Sequence, residues 1–162
     1  MREEWAPIAG SDKYVVSNWG SVMNLETETI LTPSRNREGI AKVSLYEHGH
    51  YTSRSIAILV AKAFVPPDEE WFNAPIHRNG DKMDCDASNL LWRPRWHAVH
   101  FHRQFHHPGF HRHVRLENLK TGERYRLLAD PCVQYGLRYV DVIMSYTNHE
   151  PAFPTGHEYQ LL

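Results

Sequence analysis

Two polar residues and the tight turn between them carry the chemistry that this sequence indicates most clearly. His77 is followed by Arg78, Asn79 and Gly80, and Asn89 comes twelve residues after the histidine. An Asn-Gly pair favours a tight hairpin turn, which would bring Asn89 back towards the histidine. An imidazole so placed can take a proton from water while an asparagine carbonyl accepts from its other ring nitrogen and fixes the tautomer. The pattern suits a general base for phosphodiester hydrolysis, although a histidine beside a common Asn-Gly turn could instead simply cap a strand.

The elements around these residues predict how they are positioned. Residues 76–92 predict a hairpin, and a helix is expected to begin near Pro94 or Arg95, because proline is favoured at the first position of a helix. Residues 55–64 predict a second helix that ends before Pro66-Pro67 and packs beneath the hairpin. Its apolar face at helical spacing consists of Ile56, Leu59, Val60 and Ala63.

A small antiparallel sheet is predicted before that helix and an α+β module after the hairpin. The sheet strands are expected at 14–16, 21–25 and 41–46, with turns at Asn18-Trp19-Gly20 and His48-Gly49-His50. The C-terminal module should contain a hairpin around Thr121-Gly122, helices at 127–135 and 138–146, and a strand at 157–161. We predict that three apolar residues of the last helix belong to the core: Val140, Ile143 and Met144.

The segment from Ala74 to Trp92 resembles the signature of the HNH homing endonucleases. In this signature Asn79 stands at an aspartate position and Leu91 at a glutamate position. The N-terminal part resembles the nuclease-associated modular DNA-binding motif that precedes HNH modules in phage and intron-borne endonucleases. The segments that carry this second resemblance are 4–8, 14–22, 39–46 and 59–66. The C-terminal part resembles, less closely, the small helix-turn-helix-like DNA-binding repeat appended to the same nucleases.

The resemblance implies an α+β protein in three segments. Residues 1–66 would form the N-terminal DNA-binding motif and its supporting helix, residues 67–107 a ββα-metal (HNH) unit, and residues 108–162 the small C-terminal module. Pro108-Gly109 breaks any helix and marks the last boundary.

The activity implied by the resemblance is metal-assisted hydrolysis of DNA phosphodiester bonds. His77 would be the general base and Asn89 would hold its imidazole, while His97 and His100 are the candidate metal ligands on the following helix. Ile76 departs from the family pattern, because a metal-binding residue is expected there and isoleucine has no donor atom. We expect Mg²⁺ or Mn²⁺ as the cofactor, with Zn²⁺ or Ni²⁺ as the alternatives that histidine ligands would favour.

Charge is divided into blocks along the chain, although the net charge is only −1. Residues 92–126 carry eight basic and two acidic residues, whereas residues 66–91 carry two basic and six acidic ones. Because contacts to phosphates dominate nucleic-acid affinity, the basic block predicts a surface for double-stranded DNA, unless it is only a solvated strip. The candidate DNA-binding residues are Arg93, Arg95, Arg103, Arg112, Arg115 and Lys120.

Seven histidines lie between His97 and His113, interleaved with three phenylalanines. They could bind a transition metal or nucleic acid, or form a polar connector with the phenylalanines in the core. Cys85 and Cys132 are isolated thiols, which argues against a zinc ribbon and against a disulfide. Neither a membrane span nor a secretory signal is evident, so we expect an intracellular protein, in the bacterial cytoplasm or associated with phage.

Two other functions compete with that of an active endonuclease. One is a catalytically impaired HNH-like fold that serves as a phage DNA-binding or virion structural protein, with phage or host proteins as partners. The other is a transcriptional regulator that binds DNA without cutting it. Ile76 and the weakly acidic net charge favour the catalytically impaired fold, whereas the presence of both His77 and Asn89 favours the enzyme.

Overall fold

The computed structural model describes residues Arg2–Leu162, which fold as two compact units. The first unit comprises the chain through His77 together with Asp81–Pro94, and the second comprises Arg78–Gly80 and Arg95–Leu162. Small antiparallel sheets and short helices make up both units, so the α+β class is confirmed. None of the described helices is long and apolar enough to cross a membrane. The division into segments 1–66, 67–107 and 108–162 stays a prediction.

The first unit begins with two small antiparallel sheets. The four strands of the first sheet follow one another in chain order, namely β1 (Trp5–Pro7), β2 (Tyr14–Ser17), β3 (Val22–Asn24) and β4 (Thr29–Ile30). The three strands of the second sheet are β5 (Ser34–Arg35), β6 (Ala41–Glu47) and β7 (His50–Ser55). Strand β6 buries Ala41, Val43 and Leu45 at alternate positions, which is the period of a strand with one face in the core. The strands predicted at 14–16, 21–25 and 41–46 are therefore confirmed.

Helix α1 (Ile56–Phe64) follows directly and ends before the predicted proline stop. It contacts the hairpin of β8 (Ala74–His77) and β9 (Leu90–Arg93), which pair antiparallel. Its buried residues are Ile56, Ala57, Val60 and Ala61. The prediction that Ala63 lies on the buried face was wrong. The apolar run of α1 is nearly continuous, so the helix offers two overlapping apolar faces. The strands of the first unit cover the face that includes Ala57 and Ala61.

The second unit contains three of the four helices and the remaining sheet. Its helices are α2 (Arg95–Gln104), α3 (Ala129–Tyr135) and α4 (Tyr139–Asn148). Its strands are β10 (His113–Asn118), β11 (Arg124–Leu127) and β12 (Tyr159–Leu161), with β10 in the centre of the sheet. Phe101 and Phe110 are buried, as predicted for the phenylalanines of the histidine-rich segment.

The orientation of α4 differs from the predicted one. Val140 and Met144 are 39% and 44% exposed, whereas Val142 and Ser145 are completely buried. Ile143 is partly buried against the core of this unit. The start of the helix is apolar on most of its faces, so its sequence did not determine which face turns inward. Val140 and Met144 are therefore surface residues.

Candidate active site

The hairpin β8–β9 places His77 at the end of its first strand. His77 pairs with Leu90 across the hairpin, and the turn that follows contains Gly80 with a positive φ of 79°. Glycine adopts this conformation without a steric penalty, which explains the Asn-Gly pair at the turn. Both Ile76 and His77 are buried, with exposures of 0% and 4%. The general base proposed from the sequence is thus held inside the fold rather than on a mobile loop.

A thiol lies beside the imidazole of His77. The Sγ atom of Cys85 is 3.8 Å from Nε2 of His77, and Cys85 is itself buried. Burial raises the pKa of this thiol from 9.0 to about 11, so it stays protonated at neutral pH. A neutral thiol adds no charge next to the histidine. Sequence reasoning treated Cys85 only as an isolated cysteine and missed this contact.

Asn89 is oriented by the backbone in front of it. Its Nδ2 atom donates to the carbonyl oxygen of Asp84 at 2.8 Å, and its backbone N–H donates to the carbonyl oxygen of Asp86. Asp86 caps the 3-10 turn Ala87–Asn89 by accepting from the backbone N–H of Ser88. The bond from Nδ2 uses the donor end of the Asn89 amide, and an amide oxygen is the type of acceptor that an imidazole N–H requires. The bond from His77 to that oxygen stays a prediction.

His97 lies in the core of the second unit. Its Nε2 atom is 2.9 Å from the carbonyl oxygen of Gly136, so this nitrogen carries the proton and donates it. The ring is completely buried, and its centroid lies 6.2 Å from that of Phe101 and 5.7 Å from that of Phe153. This arrangement ties α2 to the turn after α3 and explains the burial of a polar ring.

The two candidate metal ligands do not fit a resident metal ion. His97 uses one ring nitrogen to bind Gly136, whereas His100, three residues further along α2, is exposed. Residues Arg2–Leu162 contain no group of three or more histidine, cysteine, aspartate or glutamate side chains placed to hold a metal. Ile76, at the position where the family pattern has a metal ligand, is fully buried and offers no donor atom. The requirement for a divalent ion itself stays a prediction.

One of the candidate DNA-binding residues, Arg93, is buried, whereas the others are exposed. Arg93 is only 2% exposed, its Nη1 donates to Asp68 and to the carbonyl oxygen of Trp92, and its guanidinium lies over Phe72. A guanidinium enclosed in this way has no surface to offer a phosphate, so the prediction of a DNA contact at Arg93 was wrong. The exposed candidates are Arg95, Arg103, Arg112, Arg115 and Lys120.

Parts of this chain are similar in sequence to known proteins. A family profile described as the NUMOD4 motif matches residues 3–46. Two proteins of Acanthamoeba polyphaga mimivirus, each named as an uncharacterized HNH endonuclease, are 43% identical over 88 residues and 30% identical over 92 residues. These matches cover 53% and 57% of this chain. Over 53% of its length this chain is similar to a protein named as an HNH endonuclease.

The fold of this chain also matches a solved structure. The HNH homing endonuclease I-HmuI, in a structure that describes its binding and cleavage of DNA, superimposes with a TM-score of 0.55 over 98% of both chains, at 20% sequence identity. The predicted resemblance to HNH endonucleases is confirmed by the two mimivirus matches, and that of the N-terminal motif by the NUMOD4 match, whereas the likeness to I-HmuI shows the fold. The chain spans only 22% and 27% of the length of the two mimivirus relatives.

Proposed function

We propose that this chain is a DNA endonuclease module that hydrolyses phosphodiester bonds with His77 as the general base. The observation that carries the proposal is the position of His77, at the end of β8 and next to the Gly80 turn, in a chain related to HNH endonucleases. A buried strand end fixes a catalytic group more firmly than a loop would, and such fixed orientation is a large part of acid–base catalysis.

Each residue near the hairpin has a distinct part in the proposed reaction. His77 takes the proton from the water that attacks the phosphorus atom, and the amide oxygen of Asn89 accepts from its other ring nitrogen. Asp84 holds the Asn89 amide through the bond at 2.8 Å. The protonated thiol of Cys85 occupies the space beside Nε2 and adds no charge. These residues orient the base and hold its tautomer.

A divalent ion, when bound, would polarise the phosphate and stabilise the leaving oxygen. Mg²⁺, Mn²⁺, Zn²⁺ and Ni²⁺ are the ions expected from the sequence, but neither His97 nor His100 fits as part of a resident site. We therefore assign no step of the reaction to a metal ion, and the plasmid-nicking assay compares these four ions.

A second function is favoured by one specific observation. The fully buried Ile76 stands where a ligand is expected, and His97 is engaged with Gly136, so a module that binds double-stranded DNA without cutting it is the alternative. A phage or host protein partner, or a role as a transcriptional regulator, would belong to this alternative.

Nicking of supercoiled plasmid by the purified protein distinguishes the two. We expect conversion to the open circular form in the presence of one of the four ions and none in EDTA. A folded protein that binds duplex DNA but nicks plasmid with none of the ions would contradict the nuclease and support the binding module.

A further inference from the structure

The outward face of β10 and β11 carries more basic than acidic residues. Leu116 on β10 pairs with Tyr125 on β11, and both side chains are buried. Because side chains alternate along a strand, the neighbouring positions face outward. The exposed basic residues of β11 at these outward positions are Arg124 and Arg126. On β10 the register shifts between His113 and Leu116, and the exposed Arg115 and His113 line the same surface as these two arginines.

Two of these arginines form no ion pair with the part of the chain that the structure describes. Arg124 forms an ion pair with Glu117, with 3.2 Å between Nε and Oε1. Arg115 and Arg126 form neither an ion pair nor a side-chain hydrogen bond with any residue of Arg2–Leu162. Neighbouring guanidinium groups repel each other, so an anion from outside the protein would stabilise this face.

The same residues line an open groove. The groove has a volume of about 1010 Å³, and His113, Arg115, Arg124 and Arg126 are among its lining residues. Tyr125, which contributes to the groove, is buried, so the imidazole of the exposed His113 is the one ring that the lining residues present to a nucleic acid. Three guanidinium groups with a single exposed ring beside them suit the phosphates of a duplex better than the successive stacked bases of a single strand.

Two of the three helices of the same unit, α3 and α4, offer far less to a phosphate backbone. Helices α3 and α4 carry Asp130 and Asp141 in their first turns and no basic residue within their bounds. Arg138, which precedes α4, is held by Asp141 through two hydrogen bonds. A helix with this charge is poorly suited to lie against DNA.

We propose that the outward face of β10 and β11, and not α4, holds the sugar–phosphate backbone of duplex DNA. Arg115 and Arg126 are the principal phosphate-binding residues of this face. The inference rests on the proposed function, which makes duplex DNA the substrate, and adds to it the surface in the second unit that binds the DNA.

Two double variants test this placement. R115Q/R126Q removes two positive charges from the sheet face, and V140E/M144E adds two negative charges to the exposed face of α4, so both change the net charge by the same amount. Binding to a fluorescently labelled duplex of arbitrary sequence is measured in EDTA at several salt concentrations, with folding of each variant checked by circular dichroism and thermal melting.

We expect R115Q/R126Q to lose roughly 10- to 100-fold in affinity, as for two charge-assisted contacts. The slope of log K against log salt should become shallower by about 1.8, since each phosphate contact contributes about 0.9. The α4 variant should stay within about threefold of the wild type, because its new charges lie away from the proposed backbone path and are screened by salt.

Three outcomes would overturn the inference. They are wild-type affinity in R115Q/R126Q, an equal or larger loss in V140E/M144E, and tighter binding to a single strand than to the duplex. Absence of salt-dependent binding by the wild type would overturn the proposed function as well. Binding that depends on the two arginines, in a protein that nicks no plasmid, would support this inference while contradicting the nuclease.

Discussion

The Nε2 atom of His77 lies 3.8 Å from the Sγ atom of Cys85, and both side chains are buried in the first unit. Cys85 in turn packs against the backbone of the N-terminal motif. A Cβ added at Gly20 would lie 3.1 Å from the Cβ of Cys85. Cys85 therefore joins the turn between β2 and β3 to the hairpin that carries the proposed base.

Cys85 should be unreactive in the folded protein. Burial raises its pKa to about 11, so the thiolate that reacts with iodoacetamide is scarce at neutral pH. We expect negligible alkylation of Cys85 at neutral pH and rapid alkylation in urea, measured by mass spectrometry of the peptide. Rapid modification of the folded protein at neutral pH would show that this thiol is not enclosed.

The same raised pKa has a consequence for stability at alkaline pH. The folded thiol holds its proton more tightly than the unfolded one, so its contribution is fully present below about pH 9 and is lost as the pH rises towards about 11. Replacement of Cys85 by alanine should lessen the fall in melting temperature across that range.

Gly80 should tolerate alanine much less well than Gly122. Both have positive φ, but a Cβ at Gly80 would lie 2.7 Å from the ring of Phe105, whereas a Cβ at Gly122 would meet nothing within 4 Å. We expect Gly122→Ala to cost about 1 kcal/mol through the backbone alone, and Gly80→Ala about 1–3 kcal/mol more through overpacking. Urea denaturation measures the free energy of unfolding of both variants. Equal losses relative to the wild type would mean that the ring of Phe105 moves aside freely.

Local signals in the sequence predicted most of the elements. Strands such as β6 alternate strictly, the Asn-Gly and Thr-Gly pairs mark their turns, and the Gly136 turn separates α3 from α4. What could not be predicted depends on partners far along the chain. His97 is buried because it meets the carbonyl of Gly136, 39 positions away, and Arg93 because it meets Asp68, 25 positions away.

The alternation of side chains along a strand also identifies outward-facing arginines of β11 that the predicted DNA-binding set does not include. The basic block of residues 92–126 contains Arg115, Arg124 and Arg126, but only Arg115 is among the DNA-binding candidates predicted from the sequence. The alternation of Arg124 and Arg126 with Tyr125 across a predicted hairpin places them on the same face, so the period of the strands could have identified them.

Arg93 should matter for stability and not for DNA binding. Its guanidinium is buried between Asp68, Phe72 and the carbonyl of Trp92. Arg93→Ala should lower the free energy of unfolding by about 2–4 kcal/mol, because it removes packing and leaves the carbonyl without its donor. Asp68→Asn should cost less than about 1 kcal/mol, since that carboxylate is 65% exposed. An Arg93→Ala variant that is as stable as the wild type in urea denaturation would contradict the structural role of Arg93.

Protonation of Glu123 at acid pH should lower the stability of the second unit. Its carboxylate accepts hydrogen bonds from Tyr135, Tyr125 and Gln134, which lower its pKa from 4.5 to about 2. A lowered pKa stabilises the fold above about pH 4.5, and this stabilisation is lost as the pH falls towards about 2.

Glu123→Gln should therefore weaken the fall in stability across that acid range. The matched control is Glu150→Gln, at an exposed glutamate that has no hydrogen bond or ion pair to another of the residues Arg2–Leu162. Denaturation at several acid pH values checks this, and identical pH profiles for the two variants would contradict the role of the tyrosine hydrogen bonds.

The most direct test of the account compares plasmid nicking and duplex binding in the wild type and in His77→Ala. His77→Asn keeps a polar side chain and guards against a loss of folding, and His50→Ala, at an exposed histidine of the same unit, is the matched control. We predict that both His77 variants lose roughly 10²-fold or more in nicking with nearly unchanged affinity, as for loss of a general base, and that His50→Ala behaves as the wild type. Nicking at the wild-type rate by either His77 variant would contradict the assignment of His77 as the base.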